Sequence, residues 1–205
     1  MKLFFAPGAC SLSPHIALRE AGLAHELVRV DFATKTTSDG RNFLEINTKG
    51  YVPALELDDG QLLTEGPAIV QYIADLAPQT GLAPANGTTD RYRLQEWLNF
   101  ISTEIHKTFG PLFRPTTPSE IKDAARAQLG VRLTWVSQHL AAKPYLTGET
   151  FTIADGYLYT VLRWGRMTGV DVAQWPNLAA FVERVGARPA VAAANEAEKA
   201  SRAKV

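Results

Sequence analysis

The rhythm of apolar and polar positions changes about a third of the way along the chain. Early segments are short and alternate in kind. Lys2 to Ala6 is a compact apolar run that predicts a strand, and Pro7-Gly8 predicts a turn. Ser11 to Ala21 has helical spacing and stops at Gly22. Glu26 to Val30 mixes Leu27, Val28 and Val30 with charges, as a half-buried strand does. Tyr51 to Leu57 and Gln61 to Leu63 flank Asp58-Asp59-Gly60, a hairpin signal. Glu65 to Ala77 then sets Ile69, Val70, Tyr72, Ile73 and Leu76 at helical spacing. This order predicts a small mixed sheet carrying helices, an α/β arrangement.

A stretch rich in Pro, Gly, Ala and Thr runs from Pro78 to Thr89. Beyond it every periodic segment is helical: Asp90 to Phe113, Ser119 to Ala142, Ala154 to Met167, Asn177 to Val185 and Pro189 to Lys199. All four tryptophans fall in this part, so it predicts a helical bundle with the larger core. The expected division is an α/β domain over 1–80, a linker over 81–86 and an all-helical domain over 87–205. The alanine-rich end from Ala187 predicts a short helix with a loose tail. Thr152 and Asp155 read as a capping box, a folding signal without chemistry.

Composition removes several function classes. The chain of 205 residues has one cysteine, Cys10, so an intrachain disulfide and a four-cysteine zinc site are both excluded. Formal net charge is +0, which lacks the basic excess of a nucleic-acid binder. Residues 1–80 carry 6 Lys and Arg against 10 Asp and Glu, while 81–205 carry 15 against 11. No apolar run approaches the roughly 20 residues that span a bilayer. The start is too short and broken for a signal-peptide core, and a cytoplasmic protein is expected.

The candidate chemistry gathers at element boundaries. Cys10 follows a strand and turn and precedes a helix, where backbone N–H groups and the helix dipole favour thiolate. A small buried hydrophobe is the competing role. Cys10-Ser11-Leu12-Ser13 has C-x-x-C spacing with serine in the second place, so a disulfide partner must come from outside, from a small thiol such as glutathione. Pro53, after Gly50-Tyr51-Val52, belongs at a strand start, as an ordinary edge proline or as a cis proline turning the Val52 backbone outward. Glu65 and Gly66 open a helix; they suit an α-amino acid head, and Glu65 equally suits simple dipole compensation. At about 100° per residue, Asn99, Thr103 and His106 fall opposite the apolar side of the next helix. That stripe is a solvated face or a cleft lining. His106-Lys107 adds charge that favours a nearby thiolate.

Taken together, these residues resemble the cytosolic glutathione S-transferases, in particular the bacterial Beta class. The features that carry the resemblance are Pro-Gly-Ala-Cys-Ser at 7–11, Val52-Pro53, Glu65 with Ala68-Ile69, His106-Lys107 and the Thr152–Asp155 box. The resemblance implies a thioredoxin-like first domain, an all-α second domain holding an acceptor pocket lined by Phe109 and Phe113, and a homodimer. It implies glutathione as co-substrate, no metal, and transfer of glutathione to a hydrophobic electrophile, with thiol–disulfide exchange or peroxide reduction through Cys10. It assigns Cys10 and His106 to catalysis. Glutathione binding falls to Cys10, Lys35, Val52, Glu65, Gly66, Asn99, Thr103, Glu104 and His106, and Ser11 is a further candidate for polarising the thiol. Phe5 and Gly66 stand where this class often has tyrosine and serine, so weaker glutathione binding is expected. A non-catalytic binding module on the same fold is the alternative.

Overall fold

A computed structural model describes residues 1–202. The tail expected beyond the last helix falls outside the described residues. The chain forms two compact units: Met1–Ala83 together with the chain from Ala187 onward, and Pro84–Gly186.

The first unit is built on four strands, β1 (Lys2–Phe5), β2 (Glu26–Arg29), β3 (Ala54–Glu56) and β4 (Leu62–Thr64), in the order β2-β1-β3-β4. β1 pairs parallel with β2 and antiparallel with β3; Leu3 lies opposite Leu27 on one side and Leu55 on the other. A central strand must be apolar on both faces, and Leu3, Phe4 and Phe5 are all buried. Phe4 packs on Phe43 of the short helix α2 (Phe43–Ile46), ring centres 5.7 Å apart. Phe5 faces His15 of α1 (Leu12–Glu20). The expected hairpin joins β3 and β4 antiparallel, with Gly60 at φ 83° in its turn. α3 (Gly66–Leu76) follows β4 directly and packs against α1. The sequence missed α2, whose four residues are too few for a period. A last helix, α10 (Pro189–Arg202), packs along α1 and belongs to this unit.

The second unit holds α4 (Thr89–Phe100), α5 (Lys107–Phe113), α6 (Ser119–His139), α7 (Ile153–Leu162), α8 (Gly165–Thr168) and α9 (Pro176–Gly186). Thr88 caps α4 by accepting the Arg91 N–H. The single helix expected over Asp90–Phe113 is interrupted by a π-helical stretch, Ile101–His106, between α4 and α5. The helix expected from Ala154 to Met167 divides into α7 and α8. Gly165 begins α8, and a side chain has no room there: a Cβ would sit 2.3 Å from the Val170 carbonyl oxygen. The capping box forms at α7. Asp155, fully buried, accepts from Thr152 N–H, from the Thr152 hydroxyl and from Leu146 N–H, each at 2.8 Å.

Candidate functional site

The first-unit candidates converge on one segment, Lys49 to Pro53. Val52-Pro53 is a cis peptide, which resolves the alternatives left open for this proline. The half-buried Cys10 thiol donates to the Val52 carbonyl at 3.3 Å. Lys35 Nζ donates to the Gly50 carbonyl at 3.1 Å and lies 5.3 Å from the Phe32 ring centre. A Cβ on Gly66 would meet Pro53 Cγ at 3.9 Å, which puts the start of α3 beside the same segment. Glu65 pairs with Lys49 at 2.8 Å, and Lys49 also reaches the Thr64 hydroxyl. Both side chains of that ion pair are about half exposed or more, so the pair adds little stability and its charges stay open to a ligand.

Backbone conformation singles out the same residues. Among the described residues, Lys35 (φ 56°) and Glu65 (φ 69°) are the non-glycine residues with positive φ. Such conformations cost energy and collect where function needs a group held in one direction. Lys49 was not foreseen; its place next to Gly50-Tyr51-Val52-Pro53 is the signal that points to it.

Ser11 makes a structural contact at the end of β1. It is fully buried, accepting from Ala6 N–H at 3.2 Å and donating to Ala6 C=O at 3.3 Å. The hydroxyl is therefore used to tie the end of β1 to the start of α1.

In the second unit the π-helical stretch breaks the expected stripe. Asn99 and Thr103 are exposed, and the Thr103 hydroxyl donates back to the Asn99 carbonyl at 3.0 Å. His106 is half-buried: its Nδ1 shares a 2.6 Å hydrogen bond with the Tyr157 hydroxyl, and its ring meets Trp164 edge-on at 4.8 Å. An extra residue per turn carries His106 off the face that a regular helix would give it. Glu104 accepts from Arg132 on one oxygen, Oε2, which lies 2.8 Å from Nε and 2.7 Å from Nη2. Of the aromatic residues expected to line an acceptor pocket, Phe109 is fully buried against Trp164, whereas Phe113 is 44% exposed. Tyr157 and Trp164 were missed, because their apolar helical spacing reads as core. Among the described residues no group of three or more His, Cys, Asp or Glu is placed to hold a metal ion. No described helix is long and apolar enough to cross a membrane.

Family models match both parts of the chain: the glutathione S-transferase N-terminal domain over residues 8–76 and the C-terminal domain over 100–189. Glutathione S-transferase GstA of Escherichia coli O157:H7 is 49% identical over 97% of this chain and 98% of its own length. The chain belongs to the glutathione S-transferase family. A glutathione S-transferase of Xanthomonas campestris, GST-4.5, is 41% identical over 97% of this chain and 98% of its own. Among solved structures, a ternary complex of BphK, a bacterial glutathione S-transferase, superposes with TM-score 0.96 at 57% identity, covering 97% of this chain and all of the other. A sphingomonad glutathione S-transferase complexed with glutathione gives 0.95 at 50% identity, over 97% and 99%. A Beta-class enzyme of Sphingomonas chungbukensis gives 0.94 at 48%, over 97% and 98%. These relatives identify the chain as a glutathione transferase of the bacterial Beta class, with the thioredoxin-like first domain and helical second domain of that family.

Proposed function

We propose that glutathione lies along Lys49–Pro53 with its thiol at Cys10, and that this transferase both conjugates electrophiles and exchanges disulfides. Val52 pairs through its main chain with the cysteinyl unit. Lys35 takes the glycyl carboxylate, Glu65 the γ-glutamyl ammonium, and Gly66 N–H the γ-glutamyl carboxylate. The observation that carries this reading is the meeting of Cys10 Sγ and Lys35 Nζ on the carbonyls of Val52 and Gly50. It supports a row of ligand groups in the order an extended tripeptide requires.

In conjugation, the glutathione thiolate forms a carbon–sulfur bond and the electrophile loses its leaving group with the electron pair. In exchange, Cys10 thiolate attacks the glutathione sulfur of a mixed disulfide and releases the other thiol. A second glutathione then attacks the Cys10 mixed disulfide, restoring Cys10 and releasing glutathione disulfide. Peroxide reduction uses the same residue: Cys10 becomes a sulfenic acid as the O–O bond breaks, and two glutathione molecules return it to thiol. His106, oriented by Tyr157, is assigned to activating the thiol, and Asn99, Thr103 and Glu104 to glutathione binding. A homodimer, a hydrophobic acceptor and a cytoplasmic location complete the proposal. Sedimentation and cell fractionation check the first and last.

Cys10→Ala separates the two activities. Reduction of a mixed disulfide should fall to background while conjugation of an aromatic chloride persists. Exchange that survives the substitution removes Cys10 as redox centre. Failure of the wild-type chain to bind immobilised glutathione, with no mixed disulfide by mass spectrometry, favours a non-catalytic module instead.

A further inference from the structure

The turn that carries Cys10 is held from two sides. Ser11 ties it inward to Ala6. On the other side stands α10, and Arg188, the residue before it, forks onto Glu20 of α1 at 2.6 and 2.8 Å. Farther along α10, Glu198 Oε2 accepts the Gly8 N–H at 2.8 Å, and Arg202 Nη2 donates to the Pro7 carbonyl at 3.1 Å. Gly8 suits this turn because its φ is +83°, and a Cβ there would also press on the Arg202 guanidinium, 2.6 Å from Nη2.

Glu198 is 4% exposed, a costly place for a carboxylate. Its surroundings only partly satisfy it. Oε1 has no hydrogen-bond partner, and His15 Nδ1, also without one, stands 3.6 Å away. Arg19 Nε–H donates to His15 Nε2 at 2.8 Å, so Nε2 is an acceptor and the proton of a neutral ring sits on Nδ1, toward Glu198. Well-packed apolar residues stabilise a core at least as well as a carboxylate with an unpaired oxygen. The hydrogen bond that Glu198 makes in full goes to Gly8.

We propose that α10 is a positioning clamp for the reactive turn: Glu198 and Arg202 grip Gly8 and Pro7 and thereby fix how far the Cys10 sulfur is sheltered. Neither residue acts on glutathione. The clamp rests on the reading of Cys10 as the redox centre for its importance, but its test does not need glutathione.

The test compares full-length wild type with Glu198→Ala, Glu198→Gln and Arg202→Ala, measuring the alkylation rate of Cys10 by iodoacetamide without glutathione, alongside thermal midpoints. Both alanine variants should raise the rate about fivefold, the weight of one lost hydrogen bond. Glu198→Gln keeps an oxygen for Gly8 N–H and should stay within about twofold of wild type. Rates unchanged or lowered in both alanine variants overturn the clamp, whatever the midpoints do. A glutamine variant as reactive as the alanine one overturns the Gly8 bond as its basis. Arg202 is on the surface, so its variant reports even if Glu198→Ala fails to fold. Rates that separate in a protein unable to bind glutathione leave the clamp standing and reject the functional reading.

Discussion

Asp155 and Glu198 are the buried carboxylates among the described residues, one in each compact unit, and they are treated in opposite ways. Asp155 receives three hydrogen bonds that join a loop to the start of α7. Glu198 receives one, from the turn before Cys10, while its other oxygen has no hydrogen bond and faces His15 Nδ1 at 3.6 Å. In the first arrangement both oxygens are fully partnered within the fold. The second gives up part of that to hold a particular backbone position. Burial alone therefore does not tell a folding residue from a functional one; the count and destination of the hydrogen bonds do.

The hardest blow to this contrast comes from Asp155→Ala, which strands two backbone donors. Urea unfolding should show a loss of about 3–4 kcal/mol, with the Cys10 alkylation rate unchanged. An altered rate would make Asp155 more than a folding residue. The pH response comes next. Burial pushes the Asp155 carboxyl up from 3.8 to about 6. The folded state then holds the proton more tightly than the unfolded one, so the extra stability is complete below about pH 4 and lost as pH rises through about 6. Relative to Asp155→Asn, wild type should lose about 3 kcal/mol between these limits, at ~1.4 kcal/mol per pKa unit. A difference independent of pH would mean that the three donors offset burial and leave the carboxyl at its unfolded value.

Glu198→Ala should cost less, about 2 kcal/mol, because it strands fewer donors. It shares no hydrogen-bond partner with Asp155, and the double variant should be additive within about 0.5 kcal/mol. The smallest effect belongs to Gly66→Ser. Nothing crowds a Cβ there, and a hydroxyl at the start of α3 should lower the glutathione dissociation constant about threefold by calorimetry, the gain from one net hydrogen bond. An unchanged constant would remove the missing hydroxyl as a reason for weak binding.

Much of the first unit was legible because its signals are local. Strand runs, the Asp58-Asp59-Gly60 turn and the proline after Val52 each act over a few residues, and the resemblance joined them into one site. The box at Thr152 was legible for the same reason, although its third bond, to Leu146, depends on a loop whose path spacing does not give. The π-helical stretch was illegible: Ile101, Ile105 and Phe109 keep apolar four-residue spacing, so nothing marks the added residue that turns His106 toward Tyr157 and Trp164. Lys35 and Glu65 carried no sign of positive φ, which neighbouring structure imposes. Nor does the alanine-rich pattern of α10 name its neighbour, since an apolar stripe specifies burial and not the surface that provides it.

The bond from Gly8 to Glu198 spans 190 positions of sequence. Ribosomes add about 5–20 residues each second, so the segment bearing Cys10 emerges roughly ten seconds or more before α10 is made. During that interval the turn lacks the bonds that Glu198 and Arg202 give to Gly8 and Pro7. The turn is therefore completed by the segment of the first unit that is made last.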